Sequence, residues 1–231
     1  EEIFRIADRV TVLKNGRHVA TEEVSNLNAR SLARLIVGKD PAGRFRAKPE
    51  GSGARTVLSV RALSHGVVKD VSFDLREGEI LGLAGLAGSG RTEILESIFG
   101  ARGPVLGEIR LDGQPVRIEH PGDAVRRGIV LVTEDRKRNG YVPQFPVWKN
   151  ITLPWVNRFT RRGILRLRRE KETAVEAMER FNVSAQSPDA PMTELSGGNQ
   201  QKAILARWLS QPVRVLLLDE PTHGVDIGAK E

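Results

Sequence analysis

Gly85-Leu86-Ala87-Gly88-Ser89-Gly90-Arg91-Thr92 follows a short apolar run, residues 80–84, and precedes a helical pattern over residues 91–99 that stops at Gly100. Strand, glycine-rich turn and helix in that order fit the phosphate-loop pattern G-x-x-x-x-G-K-[ST], with Arg91 where the lysine is usual. The residue types have a physical purpose. Glycines let the backbone curl so that successive N–H groups face phosphate oxygens, and the helix N-terminus adds partial positive charge. Thr92 is placed to offer a hydroxyl to Mg²⁺. Arginine is a broad planar fork rather than a compact point charge, so phosphate binding is expected to survive here in weakened form, while hydrolysis at this loop is in doubt. Taken alone, such a stretch is also compatible with a tight strand-to-helix turn.

Two further stretches give the loop company. Residues 213–218 form an apolar run that ends in Asp219-Glu220. Ligands of open parallel sheets sit beyond the carboxyl ends of the strands, which puts these carboxylates beside the loop. Asp219 is expected to hold Mg²⁺ through water, and Glu220 to orient or deprotonate an attacking water. A strand ending in two acids is common by chance, and only the neighbouring motifs give it weight. The second stretch, Leu195-Ser196-Gly197-Gly198-Asn199-Gln200-Gln201, opens a helix over residues 201–209 and makes a second anion-accepting turn. One domain cannot easily wrap two phosphate cradles around one nucleotide, so the pair points to dimerisation, each turn facing the other's ligand.

Outward from the loop, short apolar strands (57–60, 71–75, 80–84, 108–111, 129–132 and 213–218) alternate with helical periodicity. The last, almost without polar positions, reads as a fully buried central parallel strand. The expected architecture is an α/β layer with antiparallel strands added at the front. Residues from about 147 to 194 lack strand signal, carry helical stretches such as 172–181, and read as a helical insertion between proline pairs. Residues 1–39 contain a helix, a hairpin turning at Asn15-Gly16 and a second helix over 31–37, too little for a core of their own. Residues 40–55, with Pro41, Gly43, Pro49, Gly51 and Gly53, read as a linker.

Composition narrows the classes. The 231 residues hold 36 Lys+Arg against 29 Asp+Glu, a net charge of +7, with 39% apolar and 28% charged residues and no cysteine. That length suffices for one large domain or one and a half, and disorder, collagen and disulfide scaffolds are excluded. No apolar run approaches the roughly 18 residues of a spanning helix, so no membrane crossing is expected. Much of the positive excess lies in Arg158, Arg161, Arg162, Arg166, Arg168, Arg169 and Lys171, offset in part by Glu170 and Glu172. This is compatible with a solvated helix face, and an aromatic content of 5% gives no base-stacking platform for single strands.

In order and spacing, the phosphate loop, the Leu-Ser-Gly-Gly stretch, the Asp219-Glu220 strand end and Pro221-Thr222-His223-Gly224-Val225-Asp226 resemble ABC-type ATPases. More narrowly, Gly85 to Glu93, Glu134-Asp135-Arg136-Lys137, Leu195 to Lys202 and Asp219 to Lys230 resemble the second ATPase half of bacterial monosaccharide importers, where arginine in the loop is usual. The likeness runs from about residue 55 to residue 231. The resemblance implies a P-loop ABC-type α/β fold, with a mostly parallel core sheet, an antiparallel β subdomain and a helical insertion, incomplete at both ends. Residues 1–39 would then be the tail of a first ATPase domain, and 56–231 a second domain cut after its D-loop.

Carried over by position, Gly85, Gly88, Ser89, Gly90, Arg91 and Thr92 resemble the family's phosphate-binding residues. Glu134 stands at the Q-loop position, which touches Mg²⁺ and reads the permease. Ser196, Gly197, Gly198 and Gln200 would face ATP held by the partner half, and Asp226 would make the D-loop contact. The aromatic that usually stacks on adenine is missing near residues 63–68, where only His65 carries a ring. The resemblance implies ATP and Mg²⁺ as cofactors, and ATP hydrolysis coupled to monosaccharide import. It implies transmembrane permease subunits as partners, a periplasmic or extracellular sugar-binding protein acting indirectly, and the first ATPase half of the same chain or another copy. Its place would be peripheral, on the cytoplasmic face of the bacterial inner membrane, without nucleic acid. An ABC-fold ATPase acting on nucleic acid or ribosomes is the rival, and a fragment with little activity alone is a third reading.

Overall fold

The computed structural model describes residues 3–14, 17–37 and 55–221, which fall into two compact units. In the smaller, helix α1 (Ile3–Ile6), the antiparallel hairpin of β1 (Arg9–Lys14) and β2 (Arg17–Glu23), and helix α2 (Ala29–Val37) follow the order anticipated. α2 begins two residues earlier than its apolar spacing suggests because Asn28 caps it. The Ser31 amide donates to Asn28 Oδ1 at 2.8 Å, and the Asn28 amide donates to Ser31 Oγ at 2.9 Å. Among the described residues of this unit, Val12 and Leu32 have buried side chains. The Asn15-Gly16 turn, residues 40–54 of the linker and Asp226 lie outside the described residues.

The larger unit contains an antiparallel sheet of β3 (Thr56–His65), β4 (Val68–Arg76), β5 (Leu106–Leu111) and β6 (Gln114–Pro115), in the order β4-β3-β5-β6. β5 crosses β3 so closely at Gly107 (φ 100°) that a Cβ there would stand 2.5 Å from the Arg61 carbonyl oxygen. Helix α3 (Arg91–Phe99) ends at Gly100 as its sequence requires, and helix α4 (Pro121–Arg126) leads into β7 (Ile129–Val132). β7 pairs in parallel with β10 (Val215–Leu218).

All four residues of β7 are buried, because the strand separates two cores. Ile129 and Leu131 join the core made by the antiparallel sheet, Ile98 of α3 and Ala124 of α4. Val130 and Val132 join the other, which fills the helical insertion around Trp148, Met178, Met192 and Trp208. Burial of side chains of this size stabilises by about 1.5–3 kcal/mol each, so β7 ties the layers together.

The helical insertion comprises α5 (Val147–Thr152), a 3-10 stretch (Leu153–Phe159), a two-residue-strand hairpin of β8 (Thr160–Arg161) and β9 (Ile164–Leu165), α6 (Leu167–Arg180) and α7 (Gly197–Leu209). The hairpin has no counterpart in the sequence reading, and α6 and α7 start five and four residues before the expected 172 and 201. For α7 the cause is Ser196, which caps the helix ahead of its glycines.

Two expectations about the sheet are corrected. Residues 80–84 have no regular structure and join no sheet among the described residues, and Ile80 is 87% exposed. β10 is shorter than 213–218 and only half buried, Val215 and Leu217 inward and Leu218 outward. The two deviations have one cause. A parallel strand is fully buried where both of its faces are covered, as those of β7 are by the two cores. Among the described residues β10 bonds only to β7, and its other edge faces residues 79–83 across a groove of about 720 Å³.

Candidate functional site

The glycine loop enters α3 with Gly88 at φ 79° and Gly90, the N-cap, at φ 94°, conformations that favour glycine. Within the loop the Ser89 amide donates to the Leu86 carbonyl at 3.1 Å, and the first α-helical bond runs from the Ile94 amide to the Gly90 carbonyl at 2.9 Å. No side chain caps α3, so the amides of its first turn keep their partial positive charge for a ligand. A Cβ on Gly85 would meet only the rotatable Ser89 side chain, so the backbone demand for glycine falls on Gly88 and Gly90. This is an anion cradle in which glycine is a requirement of shape.

The carboxylates expected beside it are there. β10 runs parallel to β7, with Leu218 opposite Val132, and the Asp219 amide donates to the Val132 carbonyl at 2.9 Å. That bond carries the ladder one step past the strand and sets Asp219 at its carboxyl end. Asp219 is 7% exposed, and Thr92 of α3 is among the groups that act on its carboxyl. Burial pushes this carboxyl above the usual aspartate range. The Thr92 side chain works the other way, and the Glu220 and Glu96 charges add to the upward push. Glu220, at φ 40°, is held in the left-handed region, and Arg91 Nη2 donates to its Oε1 at 3.1 Å. The residue in the lysine position thus lies against the carboxylate assigned to water activation.

The remaining candidates are placed differently. Glu134 is exposed two residues beyond β7, on the same strand-end edge as Asp219, before a π-helical turn (Arg136–Gly140) that the sequence reading lacks. Ser196, Gly197 and Gly198 lie at the start of α7, where the Asn199 amide donates to Ser196 Oγ at 3.4 Å. Gln200 turns inward, 5% exposed, its Nε2 donating to the Met192 carbonyl at 3.1 Å, so its amide serves the fold rather than an outward-facing anion. Because the Ser196 cap bond is long, Ser196→Ala is expected to cost about 0.5–1 kcal/mol in urea unfolding, the low end for such caps.

Sequence reasoning missed the polar centre of the insertion. Arg207 of α7 is buried, with Nε donating to the Asn150 carbonyl at 2.7 Å, Nη1 to the Gly140 carbonyl at 2.7 Å and Nη2 to Asn150 Oδ1 at 3.3 Å. Asn150 is itself buried, accepting from the Val142 amide at 2.8 Å and donating to the Val142 and Phe145 carbonyls. The two side chains connect α7, α5 and the segment that leads away from Glu134. A charge on the apolar stripe of α7, next to Ala203, Ile204 and Trp208, was the available signal.

The family model described as ABC transporter matches residues 68–223. Over all 231 residues the chain is 43% identical to the ribose import ATP-binding protein RbsA of Geobacillus kaustophilus, covering 47% of that protein. It is 45% identical over 238 aligned positions to the xylose import ATP-binding protein XylG of Burkholderia ambifaria, covering all of the chain and 46% of that relative. The chain thus spans about half the length of the curated relatives it matches. Among solved structures, a nucleotide-free ATP-binding cassette from an ABC transporter superposes with a TM-score of 0.62 at 19% identity, over 76% of this chain and 73% of the other. The dimeric cassette MJ0796 bound to ADP and Pi gives 0.59 at 22% identity, over 74% and 77%. At these identities the superpositions speak for the fold.

Proposed function

Since the chain belongs to the ABC transporter family, we propose that the protein carrying it binds and hydrolyses ATP to drive import of a monosaccharide through transmembrane permease subunits. The reading rests on one observation above the others, the Asp219 amide bonded to the Val132 carbonyl at 2.9 Å, which sets a buried carboxylate at the carboxyl end of β10 beside Glu220, itself held at 3.1 Å by Arg91 of the glycine cradle. In that arrangement the amides of residues 88–92 take the phosphates, Arg91 adds charge, and Glu220 orients water. Glu134 touches the Mg²⁺ shell and relays to the permease. Ser196, Gly197 and Gly198 face a nucleotide held by another ATPase domain, the first half of the same chain or a second copy, and Asp226 contacts it across the dimer. The likeness to ribose and xylose import proteins supports the sugar class. A sugar-binding protein outside the membrane would deliver the cargo, with this protein peripheral on the cytoplasmic face.

The donor set suits Mg²⁺. Among the described residues no three acidic or histidine side chains gather into a metal cluster. A cation here would be held by Thr92 and Asp219 together with phosphate oxygens and water, the manner in which Mg²⁺ usually binds. Bound there, it would offset the charge of the phosphates.

The test is reconstitution of the full-length protein with its permease in vesicles, with sugar uptake and ATP hydrolysis followed together. Gly197→Asp, which puts a negative charge into the anion-facing turn, is expected to abolish both. Unchanged uptake with hydrolysis intact would overturn the reading. Asp219→Asn separates stability from function. A carboxyl whose folded pKa is raised contributes stability below its unfolded pKa and loses it as pH rises through the folded value, so at neutral pH ionised Asp219 is a cost. The asparagine variant is therefore expected to melt higher than the parent protein in the absence of ligand, while Mg²⁺ no longer strengthens nucleotide binding at this loop.

A further inference from the structure

The insertion carries one surface that the site does not use. Residues 160–169 are all exposed, ten in succession, comprising the β8–β9 hairpin and the start of α6. Arg162 at φ 52° and Gly163 at φ 80° make the two-residue turn that suits a tight hairpin, and Arg161 pairs with Ile164 across it. The base is fixed, since the Arg166 amide donates to the carbonyl of buried Phe159 at 2.9 Å. Ile164, Leu165 and Leu167 stand out at 72%, 37% and 54% exposure.

The charges around these aliphatic side chains are not satisfied locally. Arg158 lies over the Trp155 ring at 5.3 Å, Arg168 pairs with Glu172 at 2.9 Å and Lys171 with Asp189 at 2.5 Å. Arg161, Arg162, Arg166 and Arg169 have no carboxylate partner among the described residues. Arg168 and Arg169 also occupy the first turn of α6, where the helix dipole disfavours cations. Arg168 is offset by its pair with Glu172, whereas Arg169 and the hairpin residues Arg161, Arg162 and Arg166 have no such pair among the described residues.

We propose that this hairpin is a membrane-surface contact, in which Arg161, Arg162, Arg166 and Arg169 engage anionic lipid headgroups while Ile164, Leu165 and Leu167 enter the boundary below them. Cations beside exposed aliphatics on a pinned, protruding element are the chemistry of interfacial binding. Nucleic acid is disfavoured, because residues 160–169 include no aromatic side chain for stacking. The proposal stands whether or not the chain's ATP site works as described above.

Sedimentation of the full-length protein with vesicles tests it, using phosphatidylcholine alone against phosphatidylcholine with phosphatidylglycerol. Binding only to the anionic vesicles, falling with added salt, is expected. A basic residue at such a surface strengthens binding by about fivefold at low salt, so replacing the four arginines with serine should weaken it by up to several hundredfold, and by less as salt is added. Ile164→Ser with Leu165→Ser and Leu167→Ser should weaken binding in a way that salt does not mimic. The control removes equal charge from other exposed sites, Lys69→Ser, Arg76→Ser, Arg117→Ser and Arg126→Ser, and should keep most of the binding; circular dichroism checks that each variant is folded. Equal loss in the control, equal binding to neutral vesicles, or loss of binding to detergent-solubilised permease with vesicle binding intact would each overturn the proposal.

Discussion

Replacing Arg207 with alanine lowers the unfolding free energy of the protein by about 3 kcal/mol. The guanidinium fills buried space and supplies the donors for the Gly140 and Asn150 carbonyls. Its loss leaves acceptors without partners, at about 1–3 kcal/mol each, and adds a cavity. For a domain of this size the loss corresponds to a melting temperature lower by roughly 6–12 °C. Arg207→Met restores volume without donors and should fall between alanine and the parent residue. Arg207→Lys should not restore stability, because three oxygens set around a planar fork do not suit a point ammonium. Burial pushes the Arg207 pKa down to about 10, so the cost of holding the charge is present at every pH below that value and is relieved only above it. Stability therefore carries no slope from this group around neutral pH. Thermal melts of the three variants check all of this, and an alanine variant as stable as the parent would refute it.

Arg91→Ala should weaken ATP binding at this loop by about tenfold to a hundredfold, the worth of a charge-assisted contact to phosphate. The structure adds a second expectation. Because Arg91 is held by Glu220, nucleotide must compete for the guanidinium, and Glu220→Gln should tighten binding by up to about fivefold, as suits an exposed pair. In the Arg91→Ala background the same Glu220→Gln change should do nothing. Photolabelling of the full-length protein with azido-ATP, followed by mapping of the labelled peptide, reads this loop separately from any other. Equal effects of Glu220→Gln in both backgrounds would dissolve the coupling.

The parts legible in the sequence were those set by local rules. α3 runs from Arg91 to Phe99 because helix periodicity and Gly100 both mark it, and β7 spans the predicted 129–132 because four consecutive apolar residues admit one reading. The cradle and the strand-end acids were legible for the same reason, each being a short string with its own geometry. What escaped depended on partners distant in sequence. Residues 80–84 have a strand's composition, yet a strand exists only through its neighbours, and none bonds to them here. Gln200 reads as a ligand contact until the Met192 carbonyl claims its amide, and Arg207 drew no reading because its partners Asn150 and Gly140 are distant in sequence.

Among the described residues β10 presents one ladder to β7, and its other edge borders the groove, with Leu81 and Leu218 exposed at its margins. An apolar strand edge of that kind is a template for self-association, since any extended segment that meets it completes its hydrogen bonds. Handled alone and concentrated, this chain should cluster, first as soluble oligomers and then as a precipitate rich in β-structure. Keeping it dispersed will depend on a strand that lies down in that groove.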